Sequence, residues 1–79
     1  MSARLVFLGR LADLAGVPER VVDPGALETI LAAVPSDLAV ALLDDRVRIA
    51  LNGELIAERG GIVLAAGDEL AFLPPVSGG

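Results

Sequence analysis

Apolar residues recur along the chain in two rhythms. Arg4 to Leu8 is a short β-rich run ended by Gly9. Leu11, Leu14 and Ala15 then follow helical spacing, with Gly16 placed to stop the helix and Pro18 two residues on. Arg20 to Val22 suits a second strand, paired with the first as a hairpin around the short helix. After the turn signal Asp23-Pro24-Gly25, Leu27, Ile30, Leu31 and Val34 repeat at i, i+3, i+4 and i+7, which predicts the main amphipathic helix over 27–34. Pro35 ends it, and Ser36 is expected to cap a second short helix running to Leu43. Val47, Ile49 and Leu51 alternate with Arg46, Arg48 and Ala50 in a half-buried strand. Asn52-Gly53 is a type I′ hairpin signal, with Leu55-Ile56 returning. Ile62-Val63-Leu64 leads to a further turn at Ala66-Gly67-Asp68, and Glu69 to Leu73 is the last strand.

A strand pair followed by a helix and more strands implies an α+β layer, one main helix packed across a mixed sheet. That order fits the β-grasp, or ubiquitin-like, fold. Nothing divides the chain, so residues 1–79 form a single domain whose segment 72–79 is an extended functional tail.

Composition narrows the function classes. The chain is 54% hydrophobic with two aromatics, Phe7 and Phe72, and has no cysteine, so neither a disulfide framework nor a thiolate metal site is available. This points to the cytoplasm. The apolar run Leu5–Leu8 is too short for a signal sequence, and nothing approaches the roughly 20 apolar residues of a membrane span. Net charge is −5, every cation is arginine, and no lysine is present to accept an isopeptide bond. An acidic body without basic-aromatic interleaving argues against nucleic acid and membrane surfaces and favours a partner with a basic face.

The chemistry concentrates in the tail. Pro74 and Pro75 hold the chain extended as it leaves the fold. Ser77, Gly78 and Gly79 then narrow to nearly bare backbone, suited to a channel too tight for a Cβ. A free carboxylate on Gly79, with an ordinary pKa of about 3.5, is ionised at neutral pH and a poor electrophile. ATP would convert it to an acyl-adenylate whose unhindered carbonyl is open to a sulfur nucleophile. With two glycines and no side-chain contacts, the tail is expected to be mobile from Ser77 onward.

Several polar features read as structural. Asp44-Asp45 and Asp68-Glu69 lack histidine partners and suit solvated turns better than a metal site. Gly60-Gly61 lacks the strand-to-helix setting of a phosphate loop. Ser77 has no base in the chain to activate it. Arg46 and Arg48, expected on one strand face, suit solvent better than a partner.

Leu64-Ala65-Ala66-Gly67-Asp68-Glu69-Leu70, followed by Phe72-Leu73-Pro74-Pro75-Val76-Ser77-Gly78-Gly79, resembles the end of the small subunit of molybdopterin synthase. Val47 to Gly53 resembles the strand and turn that precede it there, and Val6 to Gly16 the family's first strand and helix. The resemblance implies a β-grasp sulfur carrier with no bound cofactor or metal and no catalysis of its own. An adenylating enzyme of the ubiquitin-activating kind would consume ATP to activate Gly79, and a sulfur donor protein would complete a thiocarboxylate. The tail, Pro74, Pro75, Val76, Ser77 and Gly78, would insert into the large synthase subunit in a heterotetramer of two small and two large chains. There the sulfur would pass to a cyclic pterin phosphate on the way to molybdenum cofactor.

Leu8 and Leu55 match family positions that meet the large subunit, and strand parity turns Leu73 away from the helix. These three leucines are expected to form one apolar patch beside the tail exit. The chain departs from the family pattern at Ala12, where a second arginine is common, at Leu73, where an aromatic is common, and in a longer loop through Arg59-Gly60-Gly61. Two other functions fit a Gly-Gly end. One is a sulfur carrier for thiazole or cysteine synthesis, whose members typically lack the Pro-Pro step. The other is a ubiquitin-like interaction domain whose tail is never activated.

Overall fold

The computed structural model describes residues 1–75. The first apolar run is strand β1 (Ala3–Phe7), whose alternate residues Ala3, Leu5 and Phe7 are buried. Helix α1 (Arg10–Ala15) follows, stopped where expected by Gly16 in the left-handed conformation. The chain returns as β2 (Glu19–Val22), antiparallel to β1. A two-residue strand, β3 (Gly25–Ala26), leads into α2 (Leu27–Ala32), and α3 (Ser36–Leu42) follows. The hairpin β4 (Arg48–Leu51) and β5 (Glu54–Ile56) turns at Asn52-Gly53. Short β6 (Val63–Leu64) pairs with β3, and β7 (Glu69–Leu73) closes the fold.

Five strands form one mixed sheet in the order β2-β1-β7-β4-β5. The first and last strands lie parallel at its centre, and the other neighbours are antiparallel. Register places Phe7, Phe72 and Ile49 in one row across the inner face, and Leu5, Leu70 and Leu51 in the next. The two phenylalanine rings stack with centroids 6.0 Å apart. The helices cover this face with Leu11, Leu27, Ile30, Leu31, Leu38 and Leu42. No polar or charged side chain is buried among the described residues.

Three local expectations need correction. The apolar repeat at 27, 30, 31 and 34 is buried throughout, but the helix ends at Ala32, and Val34 packs from the connecting segment. Pro35 disfavours helical backbone in the residue before it, which explains the early stop. The covering layer is therefore shared by two short helices. Ser36 is not the cap of α3. Pro35 holds the cap position in extended conformation (φ −54°, ψ 141°), and its carbonyl accepts the Ala39 N–H at 3.0 Å. Arg46 and Arg48 do not share a strand face either. Arg46 precedes β4, and its guanidinium forks onto both carboxylate oxygens of Asp44 at 3.2 and 3.0 Å.

The hairpin behaves as expected. Asn52 (φ 51°) and Gly53 (φ 86°) both take positive φ, as a type I′ turn requires. Asn52 also ties the hairpin to the turn before β7. Its Oδ1 accepts the Glu69 N–H at 2.9 Å, and its Nδ2 donates to Asp68 Oδ1 at 3.1 Å. The start of the central strand is thereby fixed, and with it the direction in which the strand delivers the tail.

Candidate functional site

Period-2 alternation turns every second residue of the sheet outward. On β7 these are Glu69, Ala71 and Leu73, and on β4 Arg48 and Ala50. Leu55 stands opposite Ala50, so it shares this face, and its side chain is 60% exposed. Leu8 lies one residue past β1, but its N–H donates to the Phe72 carbonyl at 3.1 Å and continues the parallel ladder. That step sets Leu8, 41% exposed, beside half-buried Leu73 at the end of the sheet where the tail leaves.

The structure thus brings all three predicted leucines to one face. Leu8 and Leu73 adjoin. Leu55 lies at the β5 edge, at one end of a row that runs through the small side chains of Ala50 and Ala71 to half-buried Val6 on β1. These three floor residues were not anticipated as part of the patch. The alternation already visible in each strand was the signal that could have found them. At the opposite end of the sheet the face is polar, with Arg4 bridging Glu69 at 2.7 Å and Glu19 at 3.6 Å. Such exposed ion pairs contribute little to stability but edge the apolar strip with charge.

The tail root is built by contacts that the sequence does not announce. Pro74 sits against the turn between β1 and α1. A Cβ on Gly9 would come 3.1 Å from Pro74 Cγ, and Gly9 itself has φ 55°, ψ −135°. Gly9 therefore does more than end a strand, since its bare Cα leaves room for the proline ring. Pro75 lines a shallow hollow of about 450 Å³ with Arg10, Leu14, Ala41, Asp44 and Arg46. Val76, Ser77, Gly78 and Gly79 lie outside the described residues, and with them the expected insertion segment, the acylation site and the mobility expected of Ser77 onward.

The shifted acids at the two ends of the sheet are exposed groups. Asp44 accepts from the Arg46 side chain and from its backbone N–H at 2.8 Å, and these bonds hold its pKa at about 2. Asp68 lies below the ordinary carboxylate value because it accepts the Ala65 N–H and the Asn52 amide. Both acids stabilise turns, as their sequence setting implied. Among the described residues no cluster of three or more metal-ligating side chains forms, and no helix is long and apolar enough to cross a membrane.

A mixed five-stranded sheet with parallel central strands, helices across one face and a proline-stiffened exit from the last strand defines a ubiquitin-like β-grasp domain. Its class is that of the small ubiquitin-like carrier proteins. The chain belongs to the ThiS family, whose model matches residues 5–79. Among solved structures it is similar to SAMP1 from Haloferax volcanii, at 32% identity over the whole of both chains with a TM-score of 0.73. It is also similar to a chain in the protein–protein complex of subunits 1 and 2 of molybdopterin-converting factor from Helicobacter pylori 26695. There the identity is 25% over the whole of both chains, and the TM-score is 0.69. Urm1 from Sulfolobus solfataricus shares the fold, at 20% identity, 90% of this chain, 97% of that chain and a TM-score of 0.72. No curated protein matches the chain.

Proposed function

We propose that this chain is the sulfur-carrying small subunit of a molybdopterin synthase, with Gly79 as the atom-bearing end. In this reading the Gly79 carboxylate attacks the α-phosphorus of ATP on an activating enzyme, and pyrophosphate leaves. The outer sulfur of a donor protein's persulfide then adds to the acyl carbonyl and AMP departs, and a second thiol takes the persulfide's inner sulfur into a disulfide, releasing the thiocarboxylate. The outer sheet face docks the large subunit through Leu8, Leu55 and Leu73, and Pro74-Pro75 directs Val76 to Gly79 into its active site. The large subunit supplies the acids and bases. This chain's wholly apolar core and lack of histidine, cysteine and lysine suit it to carriage.

The observation that carries the reading is the juxtaposition of an exposed apolar strip with the rigid root of a Pro-Pro-Val-Ser-Gly-Gly end. Apolar strips left bare on small domains commonly mark docking sites. The similarity to a chain from a two-subunit molybdopterin-converting factor supports the choice of partner.

A second reading is favoured by the 32% identity to SAMP1, since the Haloferax volcanii chain is also described as a small archaeal modifier protein. There the activated Gly79 would be passed to an amine on another protein. Genetic rescue separates the two. The proposal expects this chain to restore molybdoenzyme activity in cells lacking their small synthase subunit, and not to relieve thiamine auxotrophy. Rescue of thiamine synthesis alone, or protein conjugates without molybdoenzyme activity, would reject it.

A further inference from the structure

Arg46, Arg48 and Arg59 line a single hollow of about 430 Å³, beyond the point where the β4–β5 ladder ends at Ile49 and Ile56. Three of the chain's six cations thus meet in one place on a body of net charge −5. Arg59 comes from the loop after β5, and only the hairpin carries it across to the other two. Their partners decide how much charge is left over. Arg46 uses Nε and Nη2 on Asp44, and its Nη1 has no partner among the described residues. Arg59 donates only to neutral carbonyls, of Leu42 at 3.4 Å and Asp45 at 3.5 Å. Arg48 is exposed and makes no ion pair or side-chain hydrogen bond among the described residues. With Arg46 matched by Asp44, Arg48 and Arg59 stand against Asp45, the one acid among the described residues on the wall, and the hollow is positive. Leu55 and Ile56 make its apolar side. Leu55 also belongs to the outer strip, so the hollow continues that strip at the β5 edge.

We propose that this hollow receives an acidic segment of a protein partner, one that sets a carboxylate beside an apolar side chain. A guanidinium presents a planar fork that matches a carboxylate through two parallel N–H bonds, and it gives up its hydration more readily than an ammonium does. A single exposed ion pair contributes little. Here two guanidiniums converge on one hollow, and Leu55 and Ile56 shield it from water on one side. The same apolar wall argues against a bare anion, which would gain nothing from either side chain, and the chain's negative charge argues against nucleic acid. Net charge alone favours a basic partner, whereas the local sign at this edge of the strip is the opposite. A partner carrying acid only where it meets the hollow is therefore held in one register, since other placements set like charges together. The inference goes beyond the sulfur-carrier reading, because it needs neither activation of Gly79 nor a particular partner.

The probe is a terminally blocked pentapeptide that alternates glutamate and leucine, titrated at low salt into the isotope-labelled full chain and followed by amide NMR shifts. Shifts should gather over residues 45–49 and 55–59, and the matching lysine–leucine peptide should produce none there. Arg48→Gln removes a side chain that has no bond to lose, so the fold is kept, and it should weaken peptide binding at least about threefold. Arg20→Gln makes the same charge change on β2, at the other edge of the sheet, and should leave binding unchanged. Raising salt to about 0.5 M should weaken binding to the wild-type chain, as screening requires. No shift with the acidic peptide, equal shifts with the lysine peptide, or no loss in Arg48→Gln would each overturn the proposal. So would equal loss in Arg20→Gln, or inorganic phosphate shifting these amides as readily as the peptide does, which would mark a bare-anion site. Failure of genetic rescue would reject the sulfur-carrier reading and leave this measurement standing.

Discussion

Asp44 and Asp68 show how single exposed acids fix turns, Asp44 beside the tail root and Asp68 at the far end of β7. Asp44 joins the end of α3 to the start of β4 through Arg46, and Asp68 closes the turn that launches β7. Both carboxyls have lowered pKa values in the folded chain, Asp44 falling from 3.8 to about 2. Their stabilisation is therefore fully present above the unfolded value and is lost as pH falls through the folded one. An NMR titration should give Asp44 a midpoint near 2, and Arg46→Ala should return it towards 3.8. A midpoint already at the ordinary value in the wild-type chain would show that the Arg46 fork does not persist in solution. The sequence made Asn52-Gly53 legible, because a positive-φ pair has few alternatives. It did not reveal Gly9 against Pro74, since these residues are brought together only by pairing strands from the two ends of the chain.

The elements were legible where period and punctuation agree. β1, α1, β2, the β4–β5 hairpin and β7 each show an apolar rhythm bounded by glycine, proline or an Asn-Gly turn. β3 escaped notice because Gly25-Ala26 is too short for any rhythm, and its partner, Val63-Leu64, lies far along the chain. The helix boundary at Ala32 was hidden by an apolar repeat that outlasts the helix itself, because Val34 is buried without being helical.

Parity in β7 yields a paired prediction. Leu70→Ala empties a fully buried position between Leu5 and Leu51 and should destabilise by about 2–5 kcal/mol in chemical denaturation. Leu73→Asp falls on the outer face and should leave stability within about 1 kcal/mol while abolishing capture by the large subunit. Loss of folding in Leu73→Asp would place that side chain in the core and remove the docking strip. Leu55→Asp, at a more exposed position, provides the same test without a burial penalty.

At the scale of the molecule, a core with no buried polar side chain among the described residues separates folding from function. The body needs only the sheet and its helical cover, whereas the proposed chemistry lies past Pro75. Extending the chain beyond Gly79 places its carboxyl in a peptide bond, which cannot be adenylated. The melting temperature should not change, while thiocarboxylate formation should disappear completely. An extended chain that still acquires sulfur without proteolysis would contradict the assignment. The chemistry proposed for the tail rests on residue types alone, a stiff diproline followed by nearly bare backbone. The apolar outer face was only partly legible, because Ala50, Ala71 and Val6 gain meaning only once register sets them in one row with Leu55.

The central claim is that Gly79 accepts sulfur, and intact mass measures it directly. The chain is mixed with an adenylating enzyme of the ubiquitin-activating kind, ATP and a sulfur source, and weighed before and after. Exchange of one carboxyl oxygen for sulfur should add about 16 Da, confined to the C-terminal fragment and dependent on ATP. An unchanged mass with an enzyme that activates its own carrier under the same conditions, or a gain located anywhere but Gly79, would contradict the account.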